Sequence, residues 1–155
     1  MADSTTSLAQ PLYGAGWGQA ITRFFRKYAT FSGRASRSEY WWWVLTNALV
    51  GVAFDVLGRF FDGDAGVAMW PLPYLTGALP AMATPATTVW SALAVAYALV
   101  TLLPSLALLW RRLHDTGRSG GWFFIVFVPL VGPIVLLVFT IGGPRPEGYR
   151  FDDPV

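Results

Sequence analysis

The sequence has no cysteine, one histidine and few charged residues, and each of these shortages excludes a class of protein. Without cysteine there is no thiol nucleophile, disulfide bond or thiolate metal ligand. Charged residues make up 13% of the chain and hydrophobic residues 54%, whereas roughly 25% of a typical globular chain is charged. The net charge is only +2, with no signature of nucleic-acid binding. The composition therefore indicates an all-α integral membrane protein that needs no metal or other cofactor.

Three apolar stretches are long enough to cross a bilayer, which takes roughly 20 residues. They lie at about 37–58, 88–112 and 120–141, within a predicted membrane domain at 32–141. The first span contains two polar residues, Asn47 near its centre and Asp55 near its end.

A fourth apolar stretch, 65–85, contains four prolines. Because proline has no amide donor, a continuous membrane helix is disfavoured there. We expect an irregular, Pro-rich apolar loop after the first span.

The N-terminal segment divides into two parts. Residues 1–16 are polar and small, which predicts a disordered tail, whereas 17–31 repeat aromatic and aliphatic residues at helical spacing with cations on the other side. This pattern predicts an amphipathic helix in the headgroup plane of an anionic leaflet, and packing against the protein's own inner face stays open as an alternative. Ser36 and Glu39 match a capping box, so the first span should begin at Arg37.

The distribution of basic residues predicts the orientation. Eight of the eleven lie before the first span or between the second and third, which places the N-terminus in the cytoplasm. Three crossings would then put the C-terminal tail, 142–155, outside. The alternative is that Pro129, Gly132 and Pro133 turn the third span into a hairpin that returns the tail to the cytoplasm.

Residues 111–122, RRLHDTGRSGGW, join the second and third spans. His114 and Asp115 could form a general base with its orienting carboxylate, but this chemistry needs further positioned groups that the chain lacks. A structural ion pair is favoured, and an anion-binding, lipid-phosphate or proton-sensing role stays open.

A similar Gly-Arg motif, SGRASRSEYW, precedes the first span, and helix N-termini beside arginines bind phosphate readily. We expect Arg34 and Arg37 to approach Glu39, Asp115 or lipid phosphate. The predicted cytoplasmic cluster consists of Arg34, Arg37, Glu39, Arg111, Arg112, His114, Asp115 and Arg118.

The stretches FSGRASRSEYW (31–41) and RRLHDTGRSG (111–120), followed by a span with P-x-x-G, resemble the domain of unknown function 805 family of small bacterial inner-membrane proteins. The resemblance runs from about residue 23 to the C-terminus and implies a location in the bacterial cytoplasmic membrane, but no activity. Gly121 is inserted where the family usually has tryptophan directly after S-G. The tail reads YRFD (149–152) in place of an N-R-F/Y-G-like end, so the resemblance does not imply a contact between this tail and the arginine loop.

These features favour a non-enzymatic scaffold or accessory module whose basic cytoplasmic face binds anionic lipid or a protein partner. The alternative is a small channel or transporter formed by a homo-oligomer, in which Asn47 and Asp55 would contribute polar groups within the membrane. An enzyme acting on lipid ranks third, because no catalytic constellation is present.

Overall fold

The computed structural model of the chain describes residues 10–62 and 89–152. Within these two ranges every regular element is helical, as predicted. The α-helices are α1 (Trp17–Arg26), α2 (Arg37–Asp62), α3 (Val89–Asp115) and α4 (Val131–Ile141), with 3-10 helices at Gly120–Phe127 and Pro146–Phe151. The predictions for residues 1–9 and for the loop 65–85 lie outside the described residues.

Two helices are long and apolar enough to cross a membrane, over Arg37–Gly58 and Ala92–Asp115. At 1.5 Å per residue, α2 and α3 are each about 40 Å long, against a hydrocarbon core of about 30 Å. The third apolar helix, α4, has only 11 residues.

Small residues and paired polar groups join α2 to α3. Ala98 and Ala107 of α3 are buried, which lets the helices approach closely. The indole of Trp43 donates to Ser105 Oγ (3.1 Å), and the hydroxyl of Tyr97 donates to Asn47 Oδ1 (2.9 Å). The polar groups of the first span are thus partly satisfied by the second.

Helix α1 packs against the protein and also exposes aromatic side chains. Phe24 stacks on Trp43 with ring centroids 3.4 Å apart, so part of the apolar stripe faces α2. Trp17 and Phe25 are 58% and 48% exposed. The helix ends at Arg26 rather than at residue 31.

The capping box is formed as predicted. The amide of Glu39 donates to Ser36 Oγ (3.2 Å), and the amide of Ser36 donates to Glu39 Oε2 (2.9 Å). Because these bonds satisfy two otherwise unpaired amides, α2 begins at Arg37.

The predicted third span is not one helix but a hairpin. The 3-10 helix Gly120–Phe127 and α4 are each about 16 Å long, half the thickness of the hydrocarbon core. Between them the amide of Val131 donates to the Pro129 carbonyl (2.8 Å), and Leu130 has a positive φ of 65°. At Gly132 a Cβ atom would overlap the carbonyl oxygen of Ile125. Prolines that stop helical hydrogen bonding and a glycine that permits close approach explain the turn.

The hairpin returns the tail to the face that carries the arginine loop. The amide of Arg145 donates to the Asp115 carbonyl (2.9 Å), and the amide of Gly33 donates to the Phe151 carbonyl (3.0 Å). The tail therefore contacts the same face as the arginine loop, as the hairpin alternative expects, and not the opposite face that three crossings would give it. With Arg145 and Arg150 on this side, all the basic residues except Arg59 share one side, in closer agreement with the positive-inside rule.

The hairpin can be tested by cysteine labelling, since the chain has no cysteine of its own. We expect Ser119→Cys and Glu147→Cys to react with a membrane-impermeant maleimide from the same side of sealed inner-membrane vesicles. Phe61→Cys, at the far end of α2, should react only in vesicles of the opposite orientation. Labelling of Glu147→Cys together with Phe61→Cys would instead show that 120–141 crosses the membrane.

Candidate functional site

The candidate site lies where the ends of α2 and α3 meet, and we call it the motif cluster. The amide of Ala35 donates to the carbonyl of Arg111 (3.1 Å), which brings the two Gly-Arg motifs together. Most members of the predicted cluster are buried there, namely Arg34, Glu39, Arg111, Arg112, His114 and Asp115.

Asp115 is fully buried and is surrounded by one hydroxyl group and two guanidinium groups. The hydroxyl of Tyr13 donates to Oδ1 (2.7 Å), the guanidinium of Arg112 donates to Oδ2, and Arg34 Nη1 lies 3.7 Å from Oδ1. A carboxylate can keep its charge in such a place only when it is paired and hydrogen-bonded. Asp115 is thus the buried ion-pair partner of Arg112 in this structure.

Arg112 connects Asp115 to two other segments through three carbonyl groups. Its Nε donates to the Thr140 carbonyl (3.1 Å), its Nη1 reaches the Ala35 carbonyl (3.4 Å), and its Nη2 donates to the carbonyl of Gly142. One buried guanidinium thus fixes the start of α2 and the end of α4 against the end of α3.

Arg34 holds the C-terminal tail. Its Nε and Nη2 donate to the two carboxylate oxygens of Asp152, both at 2.7 Å, and its guanidinium lies 4.2 Å from the centre of the Tyr149 ring. Burial acts to lower the pKa of Arg34, but the hydrogen bond to Asp152 and the neighbouring Tyr13, Asp152 and Asp115 raise it above its ordinary value. The tail contact forms even though the tail sequence departs from the family pattern.

His114 is held by the same tail and not by Asp115. Its Nδ1 donates to the Gly33 carbonyl (3.0 Å), and its ring stacks on Phe151 with centroids 4.0 Å apart. The carboxylate of Asp115 is directed to Arg112 and Tyr13, so the pair does not have the geometry of a base and its orienting acid.

Glu39 pairs with Arg23 of α1, rather than with Arg34 or Arg37. Arg111 lies nearby with its Nε bonded to the Ala107 carbonyl (3.2 Å). Its Nη2 is buried and has no hydrogen-bond partner within the described ranges.

Two predicted members lie at the edge of the motif cluster. Arg37 is exposed and forms no ion pair with any residue that the structure describes. Arg118 lies with its guanidinium 3.7 Å from the centre of the Phe139 ring, and burial together with the nearby charge of Arg145 lowers its pKa. Asn47 and Asp55 lie apart, further along α2, so the structure separates them from the cluster.

Three residues of the site escaped the sequence analysis. They are Tyr13, Arg23 and Asp152, which bond to partners 102, 16 and 118 residues away. Tyr13 belongs to 10–16, a segment expected to be disordered, which lies on the cluster instead. There Ser36 Oγ donates to the Leu12 carbonyl (2.7 Å) and the Ala15 amide donates to Ser38 Oγ (2.9 Å). No local pattern marks these partners.

We expect Asp115→Asn to destabilise the fold by about 3–5 kcal/mol, because it leaves the guanidinium of Arg112 buried without its counter-charge. The measurement is the free energy of unfolding in mild detergent. Asp152→Asn is the matched control: its side chain is 30% exposed, and we expect a loss of about 1 kcal/mol or less. Equal losses in the two variants would contradict a central role for Asp115.

Tyr13 should make stability sensitive to alkaline pH. Burial and the hydrogen bond to Asp115 raise the pKa of its hydroxyl above the ordinary value of 10.0. The folded protein then keeps this proton above pH 10 while the unfolded chain loses it, so the contribution is complete below about pH 10 and is lost as the pH rises further. In thermal unfolding between about pH 9 and pH 11, Tyr13→Phe should lose less stability than the wild type. An identical pH dependence would show that the hydroxyl of Tyr13 does not have a raised pKa.

Comparison with known proteins supports a membrane assignment. The chain is 41% identical over 114 residues to inner membrane protein YhaI of Escherichia coli K12, covering 74% of this chain and 75% of the relative. It is 28% identical over 133 residues to inner membrane protein YhaH of the same strain, covering 83% of this chain and 89% of the relative. No solved structure matches the chain.

The family match covers most of the chain, including both motifs and the tail. The model that matches residues 28–153 is described as a protein of unknown function, DUF805. Together with its apolar helices and its relatives, this match identifies a bacterial inner-membrane protein. The chain belongs to the DUF805 family.

Proposed function

We propose that this protein is a non-enzymatic scaffold or accessory module of the inner membrane, whose basic cytoplasmic face binds anionic lipid. The observation that carries the proposal is the division of its arginines. Arg23, Arg34 and Arg112 are buried and paired with carboxylates. A second set is exposed and has no ion pair with any described residue; it consists of Arg26, Arg37, Arg145 and Arg150.

The exposed arginines are available to a partner because the fold does not use their charge. Arg150 donates only to the carbonyl of Gly117 (3.1 Å), which leaves its charge without a counter-ion in the described structure. An arginine near an anionic leaflet contributes about 1 kcal/mol of attraction. A set of four on one side therefore favours a surface that is negatively charged.

Helix α1 supports the same orientation. Trp17, Phe25 and Tyr28 are exposed beside Arg26, a combination that suits the boundary between headgroups and acyl chains. We place α1 at the cytoplasmic interface, α2 and α3 across the bilayer, and the hairpin 120–141 entering from the cytoplasmic side. This arrangement replaces three crossings with two.

The two other candidate functions receive less support. A channel would need polar groups free to line a path, but the side chains of Asn47 and Tyr97 bond to each other. An enzyme would need an available base, but His114 is bonded to Gly33 and stacked on Phe151. A negatively charged surface of a protein partner would contact the same arginines.

The proposal predicts that anionic lipid stabilises the folded protein. In nanodiscs, we expect the melting temperature to rise with the fraction of phosphatidylglycerol and to fall again with added salt. This dependence should be lost in the quadruple variant Arg26→Gln/Arg37→Gln/Arg145→Gln/Arg150→Gln. Each substitution should remove about 1 kcal/mol of attraction to the anionic lipid.

The corresponding quadruple lysine variant is the matched control, since lysine keeps the charge, and it should retain the dependence. A wild-type protein whose melting temperature is the same in zwitterionic and anionic nanodiscs would refute lipid binding. Attention would then turn to a protein partner.

A further inference from the structure

Two shallow cavities open side by side on the motif cluster. One, of about 270 Å³, is lined by Arg34, Arg145, Pro146 and Tyr149, and the other, of about 340 Å³, by Gly14, Ser36, Arg37 and Ser38. Tyr13 and Pro144 line both, so a single wall separates them.

Each cavity has one arginine whose charge is not neutralised by the fold. Arg37 and Arg145 are exposed and form no ion pair with a described residue. Arg37 lies against the tail, since a Cβ atom at Gly143 would be 3.4 Å from its Nη2. Arg145 belongs to the tail itself, two residues further along the chain.

Two acids near the cavities, Asp115 and Asp152, are already paired within the fold. The carboxylate of Asp152 accepts hydrogen bonds from two nitrogens of the Arg34 guanidinium. The carboxylate of Asp115 accepts hydrogen bonds from Arg112 and Tyr13. Glu147 lies beside Gly117: a Cβ atom at Gly117 would be 3.2 Å from the Cβ atom of Glu147 and 3.6 Å from its Oε2. None of these carboxylates pairs with Arg37 or Arg145.

The surroundings also favour an anion over a further cation or a neutral group. Burial, and after it repulsion from the nearby charge of Arg145, lowers the pKa of Arg118, and no ion pair joins either guanidinium to a described carboxylate. An anion beside Arg145 would relieve this repulsion.

The position of Arg37 relative to the membrane indicates where the anion comes from. The first apolar span begins at Arg37 itself, so in the arrangement proposed above this guanidinium would lie at the level of the phospholipid headgroups. Trp42, one turn further into the span, is 37% exposed and suits the same interface. A phosphate at Arg37 would thus have its acyl chains beside α2.

We propose that the paired cavities bind the phosphates of two anionic phospholipid headgroups, one at Arg37 and one at Arg145, on either side of Pro144. This inference rests on the proposed function and specifies which lipids the basic face holds and where. The remaining exposed arginines, Arg26 and Arg150, then contribute only to the general attraction of the leaflet.

Native mass spectrometry of the protein released from detergent tests this count, with phosphatidylglycerol as the probe and phosphatidylethanolamine as the zwitterionic reference. The wild-type chain should retain two phosphatidylglycerol molecules. Arg37→Gln and Arg145→Gln should each retain one, and the double variant none above the level of phosphatidylethanolamine. Arg26→Gln, which removes an equally exposed charge away from the cavities, should retain two.

The outcomes separate the site from the proposed function. If phosphatidylglycerol is preferred but Arg37→Gln and Arg145→Gln match Arg26→Gln, the basic face binds lipid elsewhere and the paired site is refuted. If the wild type shows no preference, lipid binding itself is refuted. Adducts of inorganic phosphate that depend on the same arginines, without retained lipid, would overturn the assignment to lipid headgroups. Arg37→Lys/Arg145→Lys should retain both lipids, which separates loss of charge from loss of fold.

Discussion

The buried ion pair between Asp115 and Arg112 is the contact on which the rest of the cytoplasmic side depends. Removing a carboxylate and a guanidinium from water costs more free energy than their mutual attraction supplies, unless their remaining donors and acceptors are also hydrogen-bonded. Asp115 therefore also accepts a hydrogen bond from the hydroxyl of Tyr13. Arg112 donates hydrogen bonds to the carbonyls of Ala35, Thr140 and Gly142. Satisfying this one pair assembles the N-terminal segment, the start of α2, the end of α3 and the hairpin at a single place.

The two Gly-Arg motifs gain a common explanation from the tail. Gly33 and Gly117 both have positive φ values of 76°, a conformation that favours glycine, so each marks a turn beside its arginine. Gly148 of the tail lies so close to the loop that a Cβ atom there would be 2.6 Å from the carbonyl of His114. The two motifs thus form the surface on which the C-terminal tail packs. The tail is held there by the contacts of Arg34 with Asp152 and of His114 with Phe151.

The arginines divide into two groups with different physical tasks. Arg23, Arg34 and Arg112 are buried and stabilise the fold, because each exchanges water for a carboxylate. Those at its rim keep their hydration and a charge that no described carboxylate neutralises, which is the condition for binding a partner at low cost. Arginine therefore both stabilises the motif cluster and provides the exposed charge proposed to bind a partner. Burial distinguishes the arginines that have the first role from those that have the second.

Local sequence determined the membrane class, the two long helices, the start of α2 at its capping box and the grouping of most motif residues. The first three depend on composition and on neighbours within a few residues, where helical periodicity and capping chemistry act directly. The grouping followed from the distribution of basic residues between the two sides of the membrane. Tertiary structure decided which acid each arginine meets, the burial of Arg23, the ordering of Tyr13 and the contact of the tail with Arg34. It also decided between a span and a hairpin for 120–141, whose proline and glycine residues permit both. The contacts of Tyr13 and of Arg34 join groups more than a hundred residues apart, and only packing, which favours pairing of buried charges, distinguishes such partners from others.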